Sequence, residues 1–168
     1  MSHQEHQQAG KAITARCAVI TLSDTRTPAT DRSGAEIKRL LQEAGHTVQR
    51  YQLIPDEPGA LGALLNECLA DNDVDLILTT GGTGISPRDQ TLGVIERLIE
   101  IPLSGFGELF RMLSWQQIGS SAMLSRATAG IAQGKPIFAM PGSIAAVQLA
   151  MQQLILPEIG HMLMLCRK

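Results

Sequence analysis

Aromatic side chains are scarce in this sequence, 3% of 168 residues with one Trp and one Tyr. They are not interleaved with Lys or Arg, which excludes a stacking platform for single-stranded bases. A block of like charge is also lacking: 14 basic and 16 acidic residues are scattered for a net charge of −2, so the chain carries no electrostatic footprint for nucleic acid. Cysteine is sparse and unpatterned. Cys17, Cys68 and Cys166 are an odd number without CxxC spacing, which argues against a disulfide framework or a zinc site and for reduced thiols in a cytoplasmic protein. The apolar run over 17–22 is too short for a signal-peptide core, and Gln152, Gln153, Pro157 and Glu158 interrupt the apolar C-terminal stretch. Neither secretion nor a membrane span is expected. What is present is 44% apolar residues, enough to bury the core of one domain.

The polar residues 1–14 read as a disordered N-terminal arm, with His3 and His6 too sparse for metal ligands. Residues 15–168 read as one domain. A branched apolar run over 17–23 predicts a strand, and Ile37, Leu40, Leu41 and Ala44 predict a helix opened by a capping box of Ser33 and Glu36 and stopped at Gly45. A second strand over 46–54 and a helix carrying Leu61, Leu64, Leu65, Cys68 and Leu69 follow. Residues 74–80 predict a strand covered on both faces, and Leu92, Ile95, Leu98 and Ile99 a helix that starts near Pro87. The stretch 106–118 predicts a helix that serves as core or as a subunit contact. Residues 122–131 fit no single pattern, 136–140 predict a strand, and Ile144, Val147, Met151, Leu154 and Ile155 a final long helix, with a short one after Pro157. Strands alternating with helices imply a three-layer α/β/α fold with a mostly parallel central sheet. Ligands of such sheets bind beyond the carboxyl ends of the strands.

The most informative stretch is LTTGGTGISPRDQT, residues 78–91, where a buried strand opens into three glycines before a helix. Successive amides in such a turn, followed by a helix N-terminus, make an anion site. It is neither a P-loop nor a dinucleotide fingerprint. A tight strand-to-helix turn would use the same glycines, but three of them beside a Thr favour ligand binding. Asp89 fits either a capping pair with Ser86 or a carboxylate that needs a cation between itself and a bound phosphate, a role suited to Mg²⁺. Asp56, just past the preceding strand, reaches the same sheet edge and equally fits an ordinary turn. Together the two acids and the anion turn suggest metal-assisted phosphoryl or nucleotidyl transfer. Ser143, after Pro141 and Gly142, reads as an N-cap or a second ligand turn, and Ser23, Asp24, Asp31 and Arg32 form a polar loop on that edge.

Six ordered motifs, TLSDTRTPATDRSG (21–34), LIPDE (53–57), TTGGTGISPRDQT (79–91), GFGELFR (105–111), LSRATAG (124–130) and MPGS (140–143), resemble the molybdopterin-binding family typified by MoaB and MogA. The resemblance runs from about Cys17 to the last helix and, in its GFGELFRML and SWQQIGSSAMLSRATAG segments, is nearer the MoaB branch. It implies a trimer or hexamer acting in molybdenum cofactor biosynthesis. In the reaction it implies, the terminal phosphate of molybdopterin attacks the α-phosphate of Mg-ATP, releasing pyrophosphate and preparing the dithiolene for molybdate. Carried over by motif, Asp56 and Asp89 would be the catalytic, magnesium-linked acids. Gly81, Gly82, Thr83 and Gly84 would be the phosphate and pterin cradle, Ser23, Asp24 and Ser33 would line the first loop, and Pro141, Gly142 and Ser143 would close the site. Two alternatives stand beside this reading: an oligomer that binds and delivers molybdopterin without catalysis, and a nucleotide pyrophosphohydrolase of the CinA type.

Overall fold

A computed structural model describes residues 3–10 and 12–167. Its six strands, β1 (Arg16–Leu22), β2 (Thr47–Ile54), β3 (Leu76–Thr80), β4 (Ile101–Pro102), β5 (Thr128–Ala132) and β6 (Lys135–Met140), form one sheet in the order β2-β1-β3-β6-β5-β4. The first four in that order are mutually parallel, while β5 runs antiparallel to both neighbours. The stretch 122–131, which fits no single sequence pattern, resolves into the end of a short 3₁₀ helix, Gly119–Leu124, and the first strand of a hairpin.

Alternation along the central strands builds two cores. Cys17, Val19, Leu76, Leu78, Phe138 and Met140 face one way, against α2 (Arg32–Glu43), α5 (Ser104–Ile118) and the C-terminal helices. Ala18, Ile20, Leu22, Ile77, Ile137 and Ala139 face the other, against α3 (Pro58–Ala70) and α4 (Thr91–Leu98). A period of two in strands covered on both faces gives the three layers. Cys17 and Cys68 are buried and free, and burial pushes the Cys17 thiol up to about 12, so it packs as a small hydrophobe.

The last helical rod comprises α6 (Ile144–Ala150), a π-helical turn over Met151–Ile155, and α7 (Leu156–Cys166). Pro157 has no N–H for the preceding turn, and the wider turn, in which Leu156 N bonds Met151 O, precedes it. At 23 residues this rod is long and apolar enough by composition to cross a membrane. Its Val147, Ala150, Met151, Ile155, Ile159 and Leu163 nevertheless lie in the sheet core.

The arm expected to be disordered over residues 1–14 is instead helical from His3 to Gly10 (α1). Met1, Ser2 and Lys11, and the side chains of His3 and His6, lie outside the described residues. Gly10 and Gly160 let the backbones of α1 and α7 touch: a Cβ on Gly160 would strike the Gly10 carbonyl oxygen. That close approach gives a polar segment a docking point the composition does not show.

The N-terminus of α2 is also corrected. Its cap is Asp31, whose Oδ1 accepts from Gly34 N at 3.0 Å, rather than Ser33 of a capping box. Glu36 is thereby free to accept from Arg39 (2.7 and 2.8 Å) and from Gln148 Nε2 on α6 (2.9 Å). The Arg39 guanidinium, then Gln148, hold the Glu36 carboxyl at about 2, below its ordinary 4.5. A depressed carboxyl stabilises the fold in full above the unfolded-state value and loses that contribution as pH falls through the folded one. Glu36→Gln is therefore expected to flatten the loss of stability between pH 4.5 and 2, measured by urea denaturation across that window. An unchanged slope would mean the α2–α6 link carries no charge contribution.

Candidate functional site

The four parallel strands end side by side, and the loops that leave them enclose a cleft of about 540 Å³. Its walls include Ser23, Asp24, Thr25 and Arg26 after β1, Asp56 after β2, Gly81–Gly84 and Asp89 after β3, and Pro141 and Gly142 after β6, with Ser125 and Arg126 across the mouth. Ten of the twelve positions singled out in the sequence meet here. The other two stand behind the wall: Ser33 is buried and accepts from Arg26 Nη1 at 2.7 Å, and Ser143 caps α6 by accepting from Ala146 N at 3.1 Å.

The glycine turn is shaped by two positive-φ residues, Gly81 (+98°) and Gly82 (+64°), a backbone region that L side chains avoid. Gly81 N is tied to Met140 O at 3.1 Å. Among the described residues, the amides of Gly82, Thr83 and Gly84 have no acceptor, the condition of an anion nest. The helix that follows begins at Thr91, with Gln90 as its cap, and not at Pro87 as the sequence predicts. Residues 86–89 close a turn of their own, in which Asp89 N donates to Ser86 O and Ser86 N to Asp89 Oδ2, both at 2.9 Å. Pro87 fits that turn as well as it fits a helix start.

Around the nest the acids are held in distinct states. Asp24 accepts from Arg88 Nε (2.6 Å) and from the Asp56 amide (3.1 Å), and these contacts, Arg88 first, keep its carboxyl below the usual range. Asp56 is pushed the other way, by burial first and then by the charges of Asp89 and Asp24. Asp31, shut from solvent, would be raised by burial, but bonds from the surrounding hydroxyls and the Gly34 amide hold it down. Its charge faces Arg26 at 3.7 Å, and Arg26 also donates to Gly142 O at 3.1 Å.

Two cleft cations, Arg26 and Arg126, escape sequence reasoning. Arg126 Nη1 donates to Gly84 O at 2.9 Å, across a separation of 42 residues that no local pattern announces. A third residue, Thr91, has no role assigned by the sequence pattern and opens α4. Its Oγ1 is buried without a hydrogen-bond partner. A Cβ on Gly82 would meet both this hydroxyl and Asp56 Oδ1, so the hydroxyl and the carboxylate oxygen border one small space.

Residues 18–161 match the family described as a probable molybdopterin binding domain. Over 163 residues the chain is 50% identical to molybdenum cofactor biosynthesis protein B of Bacillus anthracis, covering 96% of this chain and 95% of that one. The chain belongs to the MoaB-type molybdopterin-binding family. A crystal structure of a molybdenum cofactor biosynthesis protein B superposes with a TM-score of 0.90 at 47% identity, covering 92% of this chain and 97% of that one. The tungsten cofactor synthesizing protein MoaB from Pyrococcus furiosus follows at 0.83 and 36%, covering 92% and 98%. In this family's fold, the converging acids and the glycine turn occupy the sheet edge where α/β proteins bind ligands.

Proposed function

We propose that the chain acts in molybdenum cofactor biosynthesis by adenylylating molybdopterin with Mg-ATP. The observation that carries this reading is the convergence of Asp56 and Asp89 on a glycine turn whose amides lack acceptors. The turn receives a phosphate, and the acids require a cation beside it. Mg²⁺ typically takes one or two carboxylates, completing its shell with phosphate oxygens and water. That suits a site where, among the described residues, no cluster of three or more His, Cys, Asp or Glu forms a ready metal cage. Asp56, Asp89 and the unpartnered Thr91 hydroxyl would hold the ion. When bound, it neutralises phosphate charge and polarises the phosphoryl group.

The chain's own contribution is positional. The amides of Gly82, Thr83 and Gly84 fix the molybdopterin phosphate, and Arg26 and Arg126 offset the charge of the two anionic substrates at the mouth. A phosphate oxygen of molybdopterin forms a bond to the α-phosphorus of ATP. The bond from that phosphorus to the β-phosphate bridging oxygen breaks, and pyrophosphate leaves with the electron pair.

Pyrophosphate release from ATP and Mg²⁺, followed with and without molybdopterin, tests this. Release only when molybdopterin is present is expected. Pterin binding without release would make the protein a carrier, and release from ATP alone would make it a hydrolase.

The same reading includes self-association to a trimer or hexamer. Phe106 and Phe110 of α5 are in the core, while Leu109, Met112, Trp115 and Ile118 are exposed on the same helix, with Met123 and Leu124 just beyond. An apolar face of this extent fits a second copy of the chain. Trp115→Glu is expected to lower the assembly mass measured by sedimentation. A wild-type protein that sediments as a monomer would remove this part of the reading.

A further inference from the structure

Behind the cleft wall lies a carboxylate that the proposed reaction does not touch. Asp31 caps α2 and its side chain is shut from solvent. Its Oδ1 accepts from Gly34 N (3.0 Å) and Ser33 Oγ (3.2 Å), and its Oδ2 from Tyr51 OH (2.6 Å). Burial opposes its charge, yet these bonds keep the carboxyl below its usual range, so it is ionised. The cleft residue Arg26 stands next in line. Its Nη1 is 3.7 Å from Asp31 Oδ1, beyond hydrogen-bond reach. It donates instead to Ser33 Oγ at 2.7 Å, while Nη2 donates to Gly142 O at 3.1 Å. A guanidinium only donates and a carboxylate only accepts. The Ser33 hydroxyl proton therefore points to Asp31 and its lone pair to Arg26, which fixes an otherwise free rotor. A buried carboxylate short of donors would draw the nearest guanidinium into a direct pair. Here the three other donors meet its demand, the guanidinium stops one hydroxyl short, and its remaining N–H groups stay at the cleft.

We propose that Tyr51, acting through Asp31 and Ser33, is a positioning residue for the phosphate cleft: by satisfying Asp31 it keeps Arg26 presented to an anionic substrate instead of buried against the carboxylate. Tyr51 itself does not line the cleft. Its phenol suits the task, because burial and then the Asp31 carboxylate push its proton loss well above the ordinary value, so it remains a donor. Lys38 Nζ lies 3.8 Å from the centroid of the Tyr51 ring, a contact that a Phe at this position would keep. The hydroxyl can thus be removed while the ring stays held. The inference rests on the first cleft receiving a phosphate-bearing substrate.

The test is calorimetric titration with inorganic pyrophosphate of the wild-type protein, Arg26→Gln, Tyr51→Phe and the double variant. Arg26→Gln is expected to weaken pyrophosphate by about tenfold, the scale of a lost bond to a charged group. Tyr51→Phe, which frees Asp31 Oδ2 to take Arg26, should weaken it by a similar factor and add nothing in the Arg26→Gln background, since the two act in one chain. A merely structural Tyr51 would lower the urea midpoint without that dependence on Arg26. Ser33→Ala, which removes the spacer between Arg26 and Asp31, is expected to reproduce the loss and takes the place of Tyr51→Phe if that variant does not fold. Unchanged affinity in Tyr51→Phe, an equal loss in both backgrounds, or a wild-type protein that does not bind pyrophosphate overturns the inference. Molybdopterin-dependent pyrophosphate release with Tyr51 irrelevant to pyrophosphate affinity sinks this inference and leaves the proposed reaction standing. Tyr51-dependent pyrophosphate binding without any molybdopterin-dependent release does the reverse.

Discussion

Asp89→Asn is expected to lower molybdopterin-dependent pyrophosphate release by roughly 10²–10³-fold, the scale of removing one electrostatic contributor to a transition state, while pterin binding persists. Asn keeps the local turn, since its side-chain oxygen still accepts from Ser86 N, as Asp89 Oδ2 does at 2.9 Å. What it removes is a charge. That charge is one of the influences that raise the Asp56 carboxyl, so the substitution leaves Asp56 easier to ionise and deprives the cation of one acid. Steady-state release assays and pterin titration on the same preparation separate the two effects. If turnover survives, Asp89 serves the turn and not the reaction.

Gly81→Ala should damage both fold and site, costing about 3 kcal/mol and eliminating phosphate binding. Two independent penalties combine. The backbone there sits at φ +98°, and the added Cβ would run into the Leu22 carbonyl oxygen at the end of β1. Strand backbone cannot step aside as a side-chain tip can, so either β1 shifts from β3 or the turn refolds. Gly81 N would also lose its bond to Met140 O. The urea midpoint, compared with that of Gly59→Ala on an open helix surface, reads the effect. Equal stability of the two variants would show that the turn is not strained by a side chain.

Much of this architecture is legible in the residues because burial on both faces leaves strong marks. The strand read over 74–80 is observed as Leu76–Thr80, two residues shorter at its start, and the spacing of Leu61, Leu64, Leu65 and Cys68 falls inside α3. The β5–β6 hairpin escaped for a definable reason. Its two-residue turn is Gln133-Gly134, with φ of +48° and +73°, a primed turn closed by Gln rather than by the Asn or Asp that usually announce one. The cap of α2 escaped because a cap is chosen by three-dimensional partners: Asp31 is also bonded by Tyr51 OH at 2.6 Å, and nothing local advertises Tyr51. At the site, residues next to glycine turns and strand ends could be read, since chain chemistry marks those places. Arg26, Arg126 and the Thr91 hydroxyl could not, because their importance depends on what the fold lays beside them.

The cleft draws its walls from Leu22 at one extreme of the sequence and Gly142 at the other, and this bears on how the molecule comes together. The hairpin at Gln133-Gly134 joins neighbours in the chain and can form early, whereas β1, β2, β3 and β6 meet only after long crossovers have closed. No early intermediate therefore contains a complete binding surface. A ligand spanning the four loops recognises only the finished chain, and by mass action it raises the melting temperature of the entire domain rather than of one segment.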